Sequence, residues 1–184
     1  MTAFWDWRSA RVTERHATGV LTEAPLEAVE LYTENAMVLA QVAPDGQRLS
    51  DILNSNSHLP IKNAQSISMI GGVEGTAGHG WSSLPTDEIL FAMPPEHVSP
   101  RQMRIHRKQH RVRINTGPYL IVGNAHVLPG VKLDPFVLRA RTRFLALTKA
   151  RVLSTVNPAW ERAAEVVLVN VRPLTDLAEV VTIS

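Results

Sequence analysis

The chain of 184 residues has no cysteine. Disulfides, thiolate nucleophiles and cysteine-held metals are excluded, and a reducing cytoplasm is the expected compartment. Aromatic residues are scarce, at 5%, which leaves few flat side chains on which nucleic-acid bases could stack. No apolar run approaches the ~18 residues of a membrane-spanning helix, so no membrane partner is expected. The opening MTAFWDWRSARVTERHATG lacks the basic start, apolar middle and small-residue cleavage site of a secretory signal. Acidic residues are missing from one long stretch, between Glu96 and Asp134.

The remaining composition, 45% hydrophobic and 20% charged, is that of a globular protein rather than a disordered one. The net charge of +2 conceals an asymmetry. Residues 1–98 carry 5 Lys/Arg against 12 Asp/Glu, and residues 99–184 carry 14 against 5. Such a division predicts either that the halves face each other electrostatically or that the second half meets an anionic partner.

A phrase in the first half returns, blurred, in the second. AVELYTENAMVLAQVA reads as two short strands turning at Glu34-Asn35, and HRVRINTGPYLIVGNAHVL repeats that plan around NTGP. Alternation of Val29 and Leu31 with Glu30 and Tyr32, and of Val112 and Ile114 with Arg111 and Arg113, fits strands with one buried face. Next come GQRLSDILNS and GVKLDPFVLR. Ser50 and Asp134 are read as N-caps, with Asp51 and Pro135 at the first helical position. Leu49, Ile52 and Leu53, and likewise Leu133, Phe136 and Val137, have the spacing of one apolar stripe on a single helical turn. Third strands follow at 59–70 and 143–154, and fourth strands at 88–95 and 165–173. Trp81 and Trp160 each fall shortly before the fourth. The expected architecture is mainly β: an N-terminal tail (1–20), then two tandem, related small barrel or sandwich units (21–100 and 101–184), each with one short helical turn. A unit of this size is marginal alone, so the two should pack together or oligomerise.

The order strand, strand, helical turn, strand, strand resembles small SH3-like or Sm-like barrels. Arg48-Leu49-Ser50-Asp51-Ile52-Leu53-Asn54 and Phe144-Leu145-Ala146-Leu147-Thr148-Lys149-Ala150 also resemble the two signatures of an uncharacterised bacterial β-rich family. Those signatures are an Arg-Leu-Ser-Asp-x-Leu-Asn element and a Phe-Leu-Ala-Leu-Thr-x-Ala strand. The resemblance covers about half of the chain, and it implies a fold without implying any chemistry.

Signals of catalysis are weak. GGVEGTAGHGW (71–81) holds five of the ten glycines but has neither the Gly-Lys-Ser/Thr ending of a phosphate loop nor the dinucleotide spacing, and it reads as a loop between strands. His79 has no nucleophile motif beside it. His106 and His110 have a ligand-like spacing, but Arg104, Arg107, Lys108 and Arg111 surround them with a field that opposes a divalent cation. No catalytic residue, metal or cofactor is assigned.

Two segments look suited to a partner. RQMRIHRKQHRVR (101–113) holds six Lys/Arg and no acid, and its Arg104, Arg107, Lys108, Arg111 and Arg113 are the candidate contacts to a polyanion or protein. Met103 and Ile105 are out of phase with Val112 and Ile114, which predicts a turn or bulge near residues 107–109. Phe4, Trp5 and Trp7 form a candidate aromatic anchor. The function expected is a non-enzymatic binding or assembly protein, a homo-oligomer or bound to a protein partner. The alternative is a small-barrel nucleic-acid binder that grips phosphates.

Overall fold

The computed structural model describes residues 25–69, 74–94, 108–127, 133–174 and 176–180, without the side chains of 74–76 and 135–137. Phe4, Trp5, Trp7, Arg104, Arg107 and the Phe136 and Val137 side chains lie outside the described residues.

The fold is mainly β. In chain order the elements are β1 (Glu27–Tyr32), β2 (Ala36–Val42), α1 (Leu49–Ser55), β3 (His58–Ser68), β4 (Glu74–Ala77), β5 (Trp81–Pro85) and β6 (Phe91–Met93). They continue with β7 (Lys108–Thr116), β8 (Tyr119–Val127), α2 (Pro135–Arg141), β9 (Phe144–Ser154), β10 (Glu161–Asn170) and β11 (Asp176–Glu179). The strands make one antiparallel sheet in the order β11-β7-β8-β9-β10-β6-β1-β2-β3-β4, with β5 also paired to β3. The sheet is continuous and open, not closed into a barrel, one of the two forms, barrel or sandwich, that the sequence offers for each unit. The pairing of β6 with β10 carries it from the first half of the chain into the second.

Tight turns set the hairpins. Thr33 donates its backbone N–H to the Ala36 carbonyl at 2.9 Å, and the Thr33 hydroxyl accepts from the Ala36 N–H at 3.1 Å. In the second hairpin Gly117 has φ 50, a left-handed conformation that glycine adopts without a Cβ penalty. A Cβ there would stand 2.6 Å from Leu90 Cδ1, so this turn also needs glycine for close packing.

The first helix departs from expectation at its start, and the second begins at Pro135 as its sequence suggests. α1 begins at Leu49 with Arg48 as its N-cap and no side-chain cap, so Ser50 lies inside the first turn. In α2 the residue before Pro135 is Asp134, whose carbonyl accepts the Leu138 N–H at 2.9 Å. The plug itself is seen in the first helix, where Leu53 is fully buried and Leu49 and Ile52 pack against the same core. Burying one leucine contributes about 1.5–3 kcal/mol, a sizeable part of a typical ~5–15 kcal/mol net stability.

Two apolar clusters form the core. One gathers Val112, Ile114, Ile121, Leu147, Val152 and Leu138 around β7–β9 and α2; the other gathers Val29, Val38, Val42, Leu53, Leu59 and Ile61 around β1–β3 and α1. The strands between them serve both. Phe91 and Met93 belong to the first cluster and Ala92 to the second, just as Val167 and Val169 are divided from Leu168. Strands buried on both faces read as unbroken apolar runs, which explains FAM and VVLV.

The two ends of the sheet share their register. Glu30↔Leu39 corresponds to Arg113↔Val122, and Gln41↔Lys62 corresponds to Asn124↔Thr148. Register slips at the same place in both, between Leu39 and Gln41 and between Val122 and Asn124. Opposite these slips, Asn63 (φ 53) and Lys149 (φ 49) are left-handed. Burial changes phase there: Leu145 and Leu147 point to the core before Lys149, and Ala150 and Val152 after it. A bulge of this kind bends a strand and re-aims its side chains.

Candidate functional site

The sheet brings its halves together at β6. Ala92 lies opposite Leu31 on one side and Leu168 on the other, and Phe91 lies opposite Tyr32 and Val169. Phe91 stacks on Tyr32 with ring centroids 4.3 Å apart, and Tyr119 and Trp160 meet Tyr32 edge-on at 5.9 and 5.7 Å. Such aromatic pairs contribute ~0.5–1.5 kcal/mol beyond the area they bury. This cluster joins rings from both halves of the chain.

Polar side chains cross the same junction. Asn54, at the end of α1, accepts the Thr142 hydroxyl at 2.9 Å and the backbone N–H groups of Arg143 and Phe144, both at 2.8 Å. Its amide donates to the carbonyls of Ser50 (2.8 Å) and Phe144 (3.2 Å). One asparagine thus satisfies the start of β9 from the other half of the molecule. Arg143 reaches back, donating to the Asn56 carbonyl at 2.9 Å and to the Thr86 hydroxyl. Its Nε stands 3.6 Å from the Asp87 carboxylate, an ion pair too long for a hydrogen bond. Asn170, fully buried, donates to the Ile89 carbonyl at 2.9 Å and accepts from the Arg172 N–H at 3.0 Å.

Ion pairs between the halves explain part of the charge asymmetry. Arg162 meets Glu30 at 2.7 Å and Arg172 meets Asp87 at 3.1 Å. Glu30 also accepts the Tyr32 hydroxyl at 2.6 Å. Burial first, and then this bond to a carboxylate, hold the Tyr32 phenol far above its ordinary range. Tyr119 is pushed up to about 12 by burial alone.

The described part of the basic stretch lies on β7. Lys108 and Gln109 are already in regular register opposite Val127 and His126, so no break occurs at those two residues. Lys108 is exposed. Arg111 donates to Asn124 at 3.3 Å and to the Lys149 carbonyl at 3.2 Å. Arg113 pairs with Asp176 at 3.4 Å and His110 with Glu179 at 2.6 Å. These acids belong to β11, in the second half, whereas the first-half acids Glu30 and Asp87 pair with arginines outside this stretch. No group of three or more His, Asp or Glu among the described residues is arranged to hold a metal ion.

The glycine-rich segment is more structured than a plain loop. Ala77 pairs with Gln65, and Trp81 to Pro85 pair with Lys62 to His58. Trp81 remains half-exposed, with the Lys62 ammonium 5.7 Å from its ring centroid. Beside it is a cavity of about 200 Å³ lined by Val42, Ala43, Ile52, Leu59 and Pro60. That volume is below the ~300 Å³ at which drug-sized ligands are usually enclosed.

Asn54, Thr86, Arg143 and Asn170 were not singled out from sequence. The available signal was a polar residue ending or interrupting an apolar run, as in Ile52-Leu53-Asn54 and Val167-Leu168-Val169-Asn170. No helix among the described residues is long and apolar enough to cross a membrane. Compared with family models, curated proteins and solved structures, the chain gives no match.

Proposed function

We propose that the chain is a non-enzymatic binding or assembly protein, a scaffold of two related units, the six strands β1–β6 and the five strands β7–β11. The support for two units is the repeated register. His58↔Pro85 and Leu31↔Ala92 in the first have the counterparts Phe144↔Asn170 and Ile114↔Leu177 in the second. β4 and β5 follow β3 in two pieces as β10 follows β9 in one, since Gln65↔Ala77 matches Arg151↔Ala163.

One observation carries the scaffold reading: the polar side chains of the centre are engaged in joining the units. Asn54, Arg143, Asn170 and the Glu30–Arg162 and Asp87–Arg172 pairs all bond across the junction. Contacts of this kind hold two bodies in one orientation, which is what a platform for partners requires. The test is the solution mass by sedimentation at low and high salt, with and without single-stranded RNA. An assembly larger than one chain and indifferent to RNA is expected. A single-chain mass under every condition overturns the homo-oligomer part of the proposal.

The nucleic-acid reading would rest on Lys108, Arg111 and Arg113 with Arg104 and Arg107. Arg111 and Arg113 already have protein partners, which weighs against it. If four cations met duplex phosphates, log affinity would fall with log salt at a slope of about −3.6. No binding at low salt removes this reading.

A further inference from the structure

The internal junction shows what edge pairing needs in this fold, and the outer edges show whether they meet it. This inference rests on the reading of two units. In that reading β11 stands in the second unit where β6 stands in the first, because Asp176↔Asn115 matches Phe91↔Tyr32. In the same way, β5 stands where the end of β10 stands, because Pro85↔His58 matches Asn170↔Phe144. Among the described residues no strand pairs with the outer edges of β11 and β5, and these are therefore the two halves of a second junction. A further copy of the chain would bring them together head to tail, and such pairing continues unless it closes into a ring.

The residues at those places have changed character. Phe91 and Tyr32, both fully buried, correspond to Asp176 and Asn115. Leu168, buried, corresponds to Ser83, which is exposed. Asn170 donates its backbone N–H to the Leu90 carbonyl at 2.8 Å, and its counterpart is Pro85, which has no N–H to give. Asp176 is tied to Arg113 at 3.4 Å and to Asn115 at 3.3 Å, so a partner strand would have to strip water from that ion pair. A short charged strand and an edge proline are recognised ways of blunting a sheet edge. Stacked repeats need polar outer faces for the same reason.

We propose that the edges of β5 and β11 are closed to strand addition, so that edge pairing joins two units within one chain and stops there. A second copy, or any other protein, must dock on a different surface.

The test transplants the internal junction onto the outer edges. A variant carrying Ser83→Leu, Pro85→Asn, Asn115→Tyr and Asp176→Phe is compared with the wild type by sedimentation over a hundredfold range of concentration. Circular dichroism confirms that each protein is folded. Expected is a gain of concentration-dependent association in the variant, at least tenfold tighter than any in the wild type, and weakened when Pro85 is restored. A folded variant that associates no more than the wild type overturns the proposal.

A second variant covers failure of the first to fold. Thr86 N–H bonds the Ser57 carbonyl, so by alternation the N–H of Ser83 lies on the side of β5 facing away from β3. Ser83→Pro therefore blocks the outer edge and spares the β3 pairing. Wild-type association abolished by Ser83→Pro would show that the edge is open and overturn the proposal; association that Ser83→Pro leaves intact runs through another surface and supports it. Failure of the two-unit reading shows separately in hydrogen exchange of the wild type, where the amides of β5 that face β3 and those of β11 that face β7 would then lack protection.

Discussion

Each of the two helices follows a hairpin and precedes a long strand, and they do different work. α1 sends Asn54 out of its own half to bond Arg143 and Phe144 at the start of β9. α2 keeps its polar side chain at home: Arg139 donates to the Val171 carbonyl at 3.0 Å and the Leu174 carbonyl at 2.7 Å, in the link between β10 and β11. One polar side chain in each helix decides whether it clamps a neighbour or fastens its own half. Register is a property of the backbone ladder and the bulges; association is a property of a handful of side chains laid over it.

The sharpest way to break this comparison is at β6. Phe91→Ala should cost about 3–5 kcal/mol, as large aromatic truncations in cores do. Its counterpart Asp176→Ala should stay within about 0.5 kcal/mol, as at other exposed positions. Equal costs in urea denaturation would show that the β11 edge is held as firmly as β6 and would break the comparison.

A smaller effect is expected at the helices. Leu53→Ala and Leu138→Ala should each lose about 2–5 kcal/mol in thermal or chemical unfolding, both side chains being buried. A neutral result for either would mean that helix is not a plug. Asn54→Ala comes next, at about 1–3 kcal/mol for amides left without their acceptor. Hydrogen exchange distinguishes the clamp: the Arg143 and Phe144 amides should lose protection in Asn54→Ala and keep it in Arg139→Ala.

A pH effect is smaller at neutrality and grows in alkali. Tyr119 ionises at about 12 when folded against 10.0 when exposed, so above pH 10 the unfolded chain releases a proton that the folded chain retains. Stability contributed by the buried neutral phenol is therefore present below pH 10 and lost as pH rises toward 12. Tyr119→Phe should flatten that alkaline decline and cost little at pH 7, since the hydroxyl has no hydrogen-bond partner among the described residues. The smallest change is a gain: Lys149→Gly relieves a left-handed lysine that costs about 1–2 kcal/mol and gives back about 0.5–1 kcal/mol in chain entropy, so a small rise in melting temperature is expected.

Much of the strand order was legible because alternation is written directly in the chain. Val29 and Leu31, Val112 and Ile114, and the turns at Asn35 and Gly117 are found where period two and turn chemistry put them. Trp160 precedes β10 as read, whereas Trp81, read as part of a connection, opens β5. Correspondence between the halves was harder. Residues 88–95 and 165–173 read as the fourth strands by their place after a tryptophan-bearing connection, but β6 pairs with β1 and β10, while the strand beside β3 is β5. Polar spacing hid that strand: Trp81-Ser82-Ser83 is exposed and gives no period to detect. The cap of the first helix misled in a related way. Ser50 is a good capping type, yet Arg48 takes the position, since burying Leu53 sets where the turn must begin.

The central position of β6 has a consequence for the order in which the molecule can be made. On the ribosome, residues 91–93 emerge long before residues 168–169 that complete their far side, so the nascent chain presents an apolar three-residue strip with one side unpaired. Until the last third of the polypeptide arrives, Phe91 and Met93 have no cover from β10, and this interval is when a chaperone would be needed most.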